Sequence, residues 1–466
     1  MEKIKKLRGL FNNYNIDGYV VAKNDEFFGE YVPNNKDRLK FISNFSGSYG
    51  YALILKDENY LYVDGRYTLQ ARIQSGKFFN IVTIPNKLPS NMLKKKNLKI
   101  GFDPKLFTKR TLNYFFKETK CKPISIKLNL IDKLWINRKK VKPKKFYVLQ
   151  DKDTGQNFQL KVKKLVYELK KNQIDFQFVS SSENIAWLLN IRGHDSDFTP
   201  IPNSYLTIDL NKKISLFCNL KKIDNSFKKK LKGIQLIDIK FIDIFLSKID
   251  NKKVLIDSST CSIYFERILN KKNKIIEFVD PIYFLKSIKN STEIKNMKKI
   301  HLSDGAAVTK FLFWLKRNFK FRKITEISAQ NKLESFRKVF TSYKFPSFDT
   351  ISGSGPNSAI IHYRASSKTN RSLKKGDLYL VDSGGQYSFG TTDVTRTVSL
   401  DNKSNYIKEV YTRVLKGHIA VSNFKIKKNS TGSEIDRKGR KYLKKINLDY
   451  PHGTGHGVGY FLNVHE

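Results

Sequence analysis

Cysteine is scarce in this 466-residue chain: Cys121, Cys218 and Cys261 stand far apart with no C-x-x-C spacing, which excludes a disulfide framework and a zinc knuckle. A reducing compartment fits that pattern. Long apolar runs are missing too, since none approaches the roughly 20 residues of a membrane span. Residues 1–13 alternate lysines with a few apolar residues and lack the apolar core and small-residue cleavage site of a secretion signal. The expectation is a cytoplasmic protein with no membrane partner. Acidic side chains are also few, 42 against 88 Lys and Arg, leaving a net charge of +46. Such a surplus normally raises nucleic acid as a partner. Here lysines occur in every stretch, as in Lys94-Lys95-Lys96 and Lys228-Lys229-Lys230, instead of interleaving aromatics on one helical face. A general bias toward lysine at solvated positions explains them better, and no nucleic acid is expected.

The length suffices for two or three hydrophobic cores. Two stretches share one plan. A basic helix-like segment leads to the strand Gly18 to Ala22, then Asp25-Glu26-Phe27, then Phe41 to Gly47; a second such helix leads to Phe176 to Val179, then Glu183-Asn184-Ile185, then Trp187 to Gly193. Two related α/β domains are the economical explanation. The polar, lysine-rich stretch from Asn137 to Gln156, with Pro143 and Gly155, reads as the linker between them.

A different plan begins near Asn290, which has capping-box spacing to Glu293 ahead of a helix carrying Ala307, Val308, Phe311, Leu312 and Leu315 at helical period. A second helix follows around Thr325-Glu326-Ile327, then Ser352-Gly353-Ser354-Gly355 and strands expected at Ala359 to Tyr363, Asp377 to Asp382 and Thr391 to Val398. The order recurs: an amphipathic helix from Ile407 to Ile419, another from Ser433, then His452-Gly453-Thr454-Gly455. After Gly455 only a short tail remains. A sheet without its later strands would expose unpaired edges, so the sequence is expected to be truncated.

Five of the seven histidines follow residue 361, four of them in glycine-rich or strand segments near carboxylates. A hairpin would bring Asp382 and Asp393 together, and adjacent carboxylates repel unless a cation or proton lies between them. Asp-Ser-Gly-Gly is also good turn chemistry, so the pair alone decides nothing. His456, inside Gly453-Thr454-Gly455-His456-Gly457-Val458-Gly459, shifts the balance, because imidazole with carboxylates suits Mn, Fe, Co or Zn better than Mg or Ca. A phosphate loop is the other reading of that glycine run, but Val458 breaks G-x-G-x-x-G and no helix pattern follows. His418 falls on the apolar stripe of its helix and is expected to pack there. His194, in Arg192-Gly193-His194-Asp195, reads equally as an interface residue or a loop cap.

Three segments carry a resemblance: Asp349 to Tyr363 (D-T-I-S-G-S-G-P-N-S-A-I-I-H-Y), Val381 to Thr397 (V-D-S-G-G-Q-Y-S-F-G-T-T-D-V-T-R-T) and His452 to Glu466 (H-G-T-G-H-G-V-G-Y-F-L-N-V-H-E). They resemble the signature segments of aminopeptidase P, a manganese-type Xaa-Pro aminopeptidase of the pita-bread metallopeptidase family. The resemblance implies an α/β (α+β) chain: creatinase-N-like domains at 1–140 and 152–285, then a pita-bread domain at 288–466 that lacks its last strands. It implies Asp382, Asp393 and His456 as ligands of two divalent metal ions, most simply Mn with Co or Zn as alternatives. Asp393 would bridge the pair, and His362, His452 and His465 would contact substrate or assist proton transfer. The implied reaction releases the N-terminal residue from peptides with proline second, by metal-activated water. The implied assembly is a homodimer.

The family completes its centre with two glutamates downstream of the V-H-E segment, and Glu466 matches neither. The 466-residue chain is therefore expected to be impaired. The main rival is a non-catalytic pita-bread module that binds peptides or protein tails, whose relatives generally lose the metal ligands kept here. A creatinase-like amidinohydrolase gives no reason to keep both aspartates with His456, and methionine aminopeptidases usually lack two large N-terminal domains.

Overall fold

The computed structural model describes residues 2–139, 141–401 and 403–466. The chain divides into two compact units. The larger runs to His301 and includes Gln386–Thr391 and Gly459–Asn463; the smaller holds Leu302–Gly385, Thr392–Val458 and Val464–Glu466.

The larger unit contains two six-stranded sheets built on one plan. In the first, β1 (Gly18–Ala22), β2 (Tyr51–Leu55), β3 (Asn59–Asp64), β4 (Asn80–Ile84), β5 (Lys99–Phe102) and β6 (Lys122–Ser125) stand in the order β4-β3-β2-β1-β5-β6. In the second, β7 (Phe176–Val179), β8 (Tyr205–Asp209), β9 (Ile214–Cys218), β10 (Gln235–Asp238), β11 (Lys253–Ile256) and β12 (Lys274–Glu277) stand in the order β10-β9-β8-β7-β11-β12. Strand directions repeat as well: β1/β2 and β2/β3 are antiparallel with β3/β4, β1/β5 and β5/β6 parallel. The second sheet has the same pattern at each corresponding pair.

These central strands are nearly continuous apolar runs because both faces are covered. Tyr19, Val21, Ala52, Ile54, Leu61 and Val63 pack on one side of the first sheet with Leu7 and Phe11. Val20, Ala22, Leu53, Leu55 and Tyr62 pack on the other with Phe102, Phe107 and Phe115. That is the period-two alternation of a strand with a core on each face. Each fully buried Leu or Ile there contributes about 1.5–3 kcal/mol of transfer free energy. The stretch read as a linker is partly ordered: Tyr147–Val148 pairs with Ile191–Arg192, and Asp151–Thr154 is a helical turn.

Helix α1 (Ser291–Asn318) opens on the expected capping box, with the Asn290 amide donating to Glu293 and the Glu293 amide donating to Asn290 Oδ1. In the smaller unit, its residues Val308, Phe311 and Leu315 pack with Leu333 of α2 (Glu326–Arg337) against Tyr379, Val381 and Val398. Those last three belong to an antiparallel sheet of β13 (Ile351–Ser354), β14 (Leu378–Ser383) and β15 (Val394–Ser399), in that order. Helices α3 (Asn405–Ser422) and α4 (Gly432–Lys444) pack on each other where Gly417 meets Gly439. A Cβ on Gly417 would lie 2.3 Å from the Gly439 carbonyl oxygen, so no side chain fits.

Three expectations need correction. Ala359 to Tyr363 is not a strand: Gly355–Ala359 is a 3-10 turn with Pro356 in its first turn, and Gly355 and His362 both have left-handed backbone, which breaks extended structure. The last strand starts at Val394, not Thr391, which leaves Asp393 just before it. His418 is exposed, because Val414, Leu415 and Ile419 on its helix are about half exposed themselves and only Gly417 is buried.

Candidate metal centre

Asp382 is the fifth residue of β14, where Tyr379 and Val381 face the core and the alternate positions face away. Across the sheet it stands opposite Ile351 and Thr395. Asp393 sits at the mouth of β15, one residue before Val394, which pairs with Ser383. The hairpin therefore brings the two carboxylates together as expected. The glycine after Ser383 is required by this approach: a Cβ on Gly384 would fall 1.9 Å from the Thr392 carbonyl oxygen. The Asp-Ser-Gly-Gly run is thus close packing beside the carboxylates as well as turn chemistry.

Oδ1 of Asp382 is buried without a hydrogen-bond partner among the described residues. Burial first, and the neighbouring Asp393 second, push the Asp382 carboxyl up to about 6. On the other side of Asp393, Nε2 of His456 lies 3.3 Å from its Oδ2. The Gly457 carbonyl oxygen is 2.7 Å from Nδ1 of His456 and so fixes the ring proton there. Nε2 then faces a carboxylate oxygen, an approach that calls for a proton or a cation between the two. The Gly457 carbonyl also accepts from the Glu466 amide at 3.0 Å, drawing the residue after His465 back onto the glycine run. The His456 and His465 rings lie 4.2 Å apart between centroids.

Asp382, Asp393 and His456 thus form a row linked pairwise. Among the described residues no group of three or more His, Cys, Asp or Glu side chains is gathered closely enough to hold a metal ion. The unpartnered Asp382 oxygen and the facing atoms of Asp393 and His456 nevertheless offer donors that fit a divalent ion, and mixed oxygen and imidazole donors suit Mn, Co or Zn. His452 lies outside the row: its ring packs 4.7 Å from that of Tyr450, and its Nδ1 is 2.8 Å from the Gly453 carbonyl oxygen. His362 occupies the turn after the 3-10 segment, with φ of 58°.

Two supports for this region went unread in the sequence. Arg337, fully buried at the end of α2, donates to both oxygens of Asp304 at 2.6 and 3.2 Å and to Ser383 Oγ at 3.0 Å. It ties two helices to the residue beside Asp382. Glu326, also fully buried, accepts from the Ser354 amide at 2.8 Å, the Asn357 amide group at 3.0 Å, the Tyr363 hydroxyl at 2.9 Å and the Arg371 amide at 3.0 Å. It anchors the turn that carries His362. The signal was available: Asp304 and Arg337 lie on the buried stripes of α1 and α2, where a charge needs a partner.

Comparison with known proteins bears on this geometry. Residues 295–466 match the model of metallopeptidase family M24, and residues 3–134 and 137–293 match two models of the creatinase/prolidase N-terminal domain. Xaa-Pro aminopeptidase 1 of Dictyostelium discoideum is 38% identical, the alignment covering 100% of this chain and 77% of that protein. The probable Xaa-Pro aminopeptidase P of Laccaria bicolor is 36% identical over 100% of this chain and 75% of its own length. Among solved structures, the X-prolyl aminopeptidase of Caenorhabditis elegans, described as a cytosolic enzyme with a di-nuclear active site, superposes with a TM-score of 0.94 at 31% identity, covering 100% of this chain and 80% of that one. Sheets, sequence and carboxylate hairpin converge: this chain belongs to the Xaa-Pro aminopeptidases of metallopeptidase family M24.

Proposed function

We propose that the chain releases the N-terminal residue from peptides whose second residue is proline, with Asp382, Asp393 and His456 as protein ligands of a divalent metal, Mn foremost. The observation that carries this reading is the pairing of His456 Nε2 with Asp393 Oδ2 at 3.3 Å, beside the unpartnered oxygen of Asp382. Metal bound there would supply Lewis acidity to polarise the scissile carbonyl and to acidify water. The chain's own residues do the rest. His465, its ring 4.2 Å from that of His456, assists proton transfer, while His362 and His452 bind the peptide around the scissile amide. A tertiary amide to proline has no N–H to recognise, so such imidazoles orient the substrate by its carbonyl. The di-nuclear active site of the Caenorhabditis elegans enzyme suggests two ions here, for which Asp382, Asp393 and His456 would supply part of the donor set.

The assay is incubation of the chain with Mn and matched Xaa-Pro-Yaa and Xaa-Ala-Yaa peptides, followed by mass spectrometry. Release of the first residue from the proline peptide alone, stopped by a chelator, supports the proposal. Equal cleavage of both peptides overturns it. A proline peptide bound but left whole by folded, Mn-supplied protein would instead favour a non-catalytic binding module. The same reading divides the chain into domains at 1–140, 152–285 and 288–466, places it in the cytoplasm and pairs it as a homodimer; sedimentation equilibrium tests the last.

A further inference from the structure

The larger unit carries a cavity of about 520 Å3 that the metal site does not use. Its floor is aromatic: the Phe27 ring stacks on Tyr205 at 5.0 Å between centroids, and Tyr205 meets Phe265 edge-on at 4.9 Å. Its wall is cationic, with five lysines against three carboxylates, a surplus of two positive charges. Two of the carboxylates are already paired. Glu26 takes Lys36 at 2.5 Å and Arg38 at 2.8 Å, and Asp195 takes Lys222 at 2.5 Å. The third, Asp243, accepts the Tyr264 hydroxyl. Among the described residues, Lys105, Lys142 and Lys240 therefore face the cavity with no carboxylate in an ion pair; Lys105 lies 4.5 Å over the Tyr264 ring and Lys240 4.8 Å over that of Phe241. Burial, with Lys144 second, pushes the imidazole of His194, half-buried on the same wall, below its usual pKa.

Like charges gathered around one cavity are costly unless an anion joins them. Phe27, the partly exposed ring of that floor, adds a second requirement, a planar ring. We propose that this cavity binds a nucleoside phosphate, its base on the Phe27 ring and its phosphate among Lys105, Lys142 and Lys240. The volume suits one small ligand, since such pockets run to roughly 300–1,000 Å3. A nucleic-acid strand is disfavoured because the lysines ring a single cavity and do not track along a groove.

Calorimetric titration of the metal-free full chain with AMP tests this, with adenosine and inorganic phosphate as the two half-probes. Saturable AMP binding is expected, tighter than either half-probe, weakened by salt and reduced about tenfold by Lys105→Glu or by Lys240→Glu. Both lysines are at least partly exposed, so the variants keep the fold, which circular dichroism checks. No saturable AMP binding at millimolar nucleotide overturns the proposal. So does AMP affinity unchanged in both variants, and so does phosphate binding as tightly as AMP.

Discussion

Nε2 of His456 points at Oδ2 of Asp393 from 3.3 Å while Nδ1 of the same ring faces the Gly457 carbonyl oxygen at 2.7 Å. The carbonyl holds one proton on Nδ1, so Nε2 meets the carboxylate with either a second proton or a cation between them. Side chains are held that way when a positive species completes them. With the Asp382 oxygen that has no partner among the described residues, the arrangement implies a cation and gives the region its chemical direction.

Removing the Arg337 guanidinium should destabilise the smaller unit strongly. Asp304 would stay buried while losing its guanidinium partner, and breaking a buried pair costs about 3–5 kcal/mol. Arg337→Met should lower the urea midpoint accordingly, and Arg337→Met with Asp304→Leu should recover most of the loss. A double variant no more stable than the single would refute the pairing argument.

Glu326 should matter through the four donors it satisfies. Glu326→Ala orphans buried amide and hydroxyl groups at about 1–3 kcal/mol each, whereas Glu326→Gln keeps an acceptor and should lose less. Urea denaturation of both variants gives the comparison. Equal losses for Ala and Gln would show that the carboxylate is filling space and not organising the turn.

Stability should rise with pH above neutrality through Lys161. Its ammonium is buried, donates to the Trp187 carbonyl at 2.9 Å and to Asn190 Oδ1 at 2.6 Å, and burial lowers its pKa to about 7. The unfolded chain keeps that proton to about 10.5, so between these values the unfolded state binds more protons and alkali favours the native state. Lys161→Met should flatten the rise between pH 7 and 10. An unchanged slope in the variant would mean that another group is responsible.

The doubled α/β plan was legible because central strands covered on both faces write themselves as runs such as Gly18 to Ala22 and Phe176 to Val179. The carboxylate hairpin was legible for a similar reason: a short apolar strand ends in Asp382 and a β-branched one begins after Asp393. What composition hid was the exception to periodicity. Ala359 to Tyr363 looks extended, yet Pro356 and the hold of Glu326 on Ser354, Asn357 and Tyr363 bend it into a turn. His418 reads as buried because its neighbours are apolar, and only coordinates show that side of α3 half exposed.

Manganese titration of the folded chain, followed by the loss of the free-ion EPR signal, bears most directly on the metal reading. The wild-type chain should take up the ion, and Asp393→Ala, with its circular dichroism unchanged, should bind at least about tenfold more weakly. Equal uptake by the two folded proteins would contradict the account.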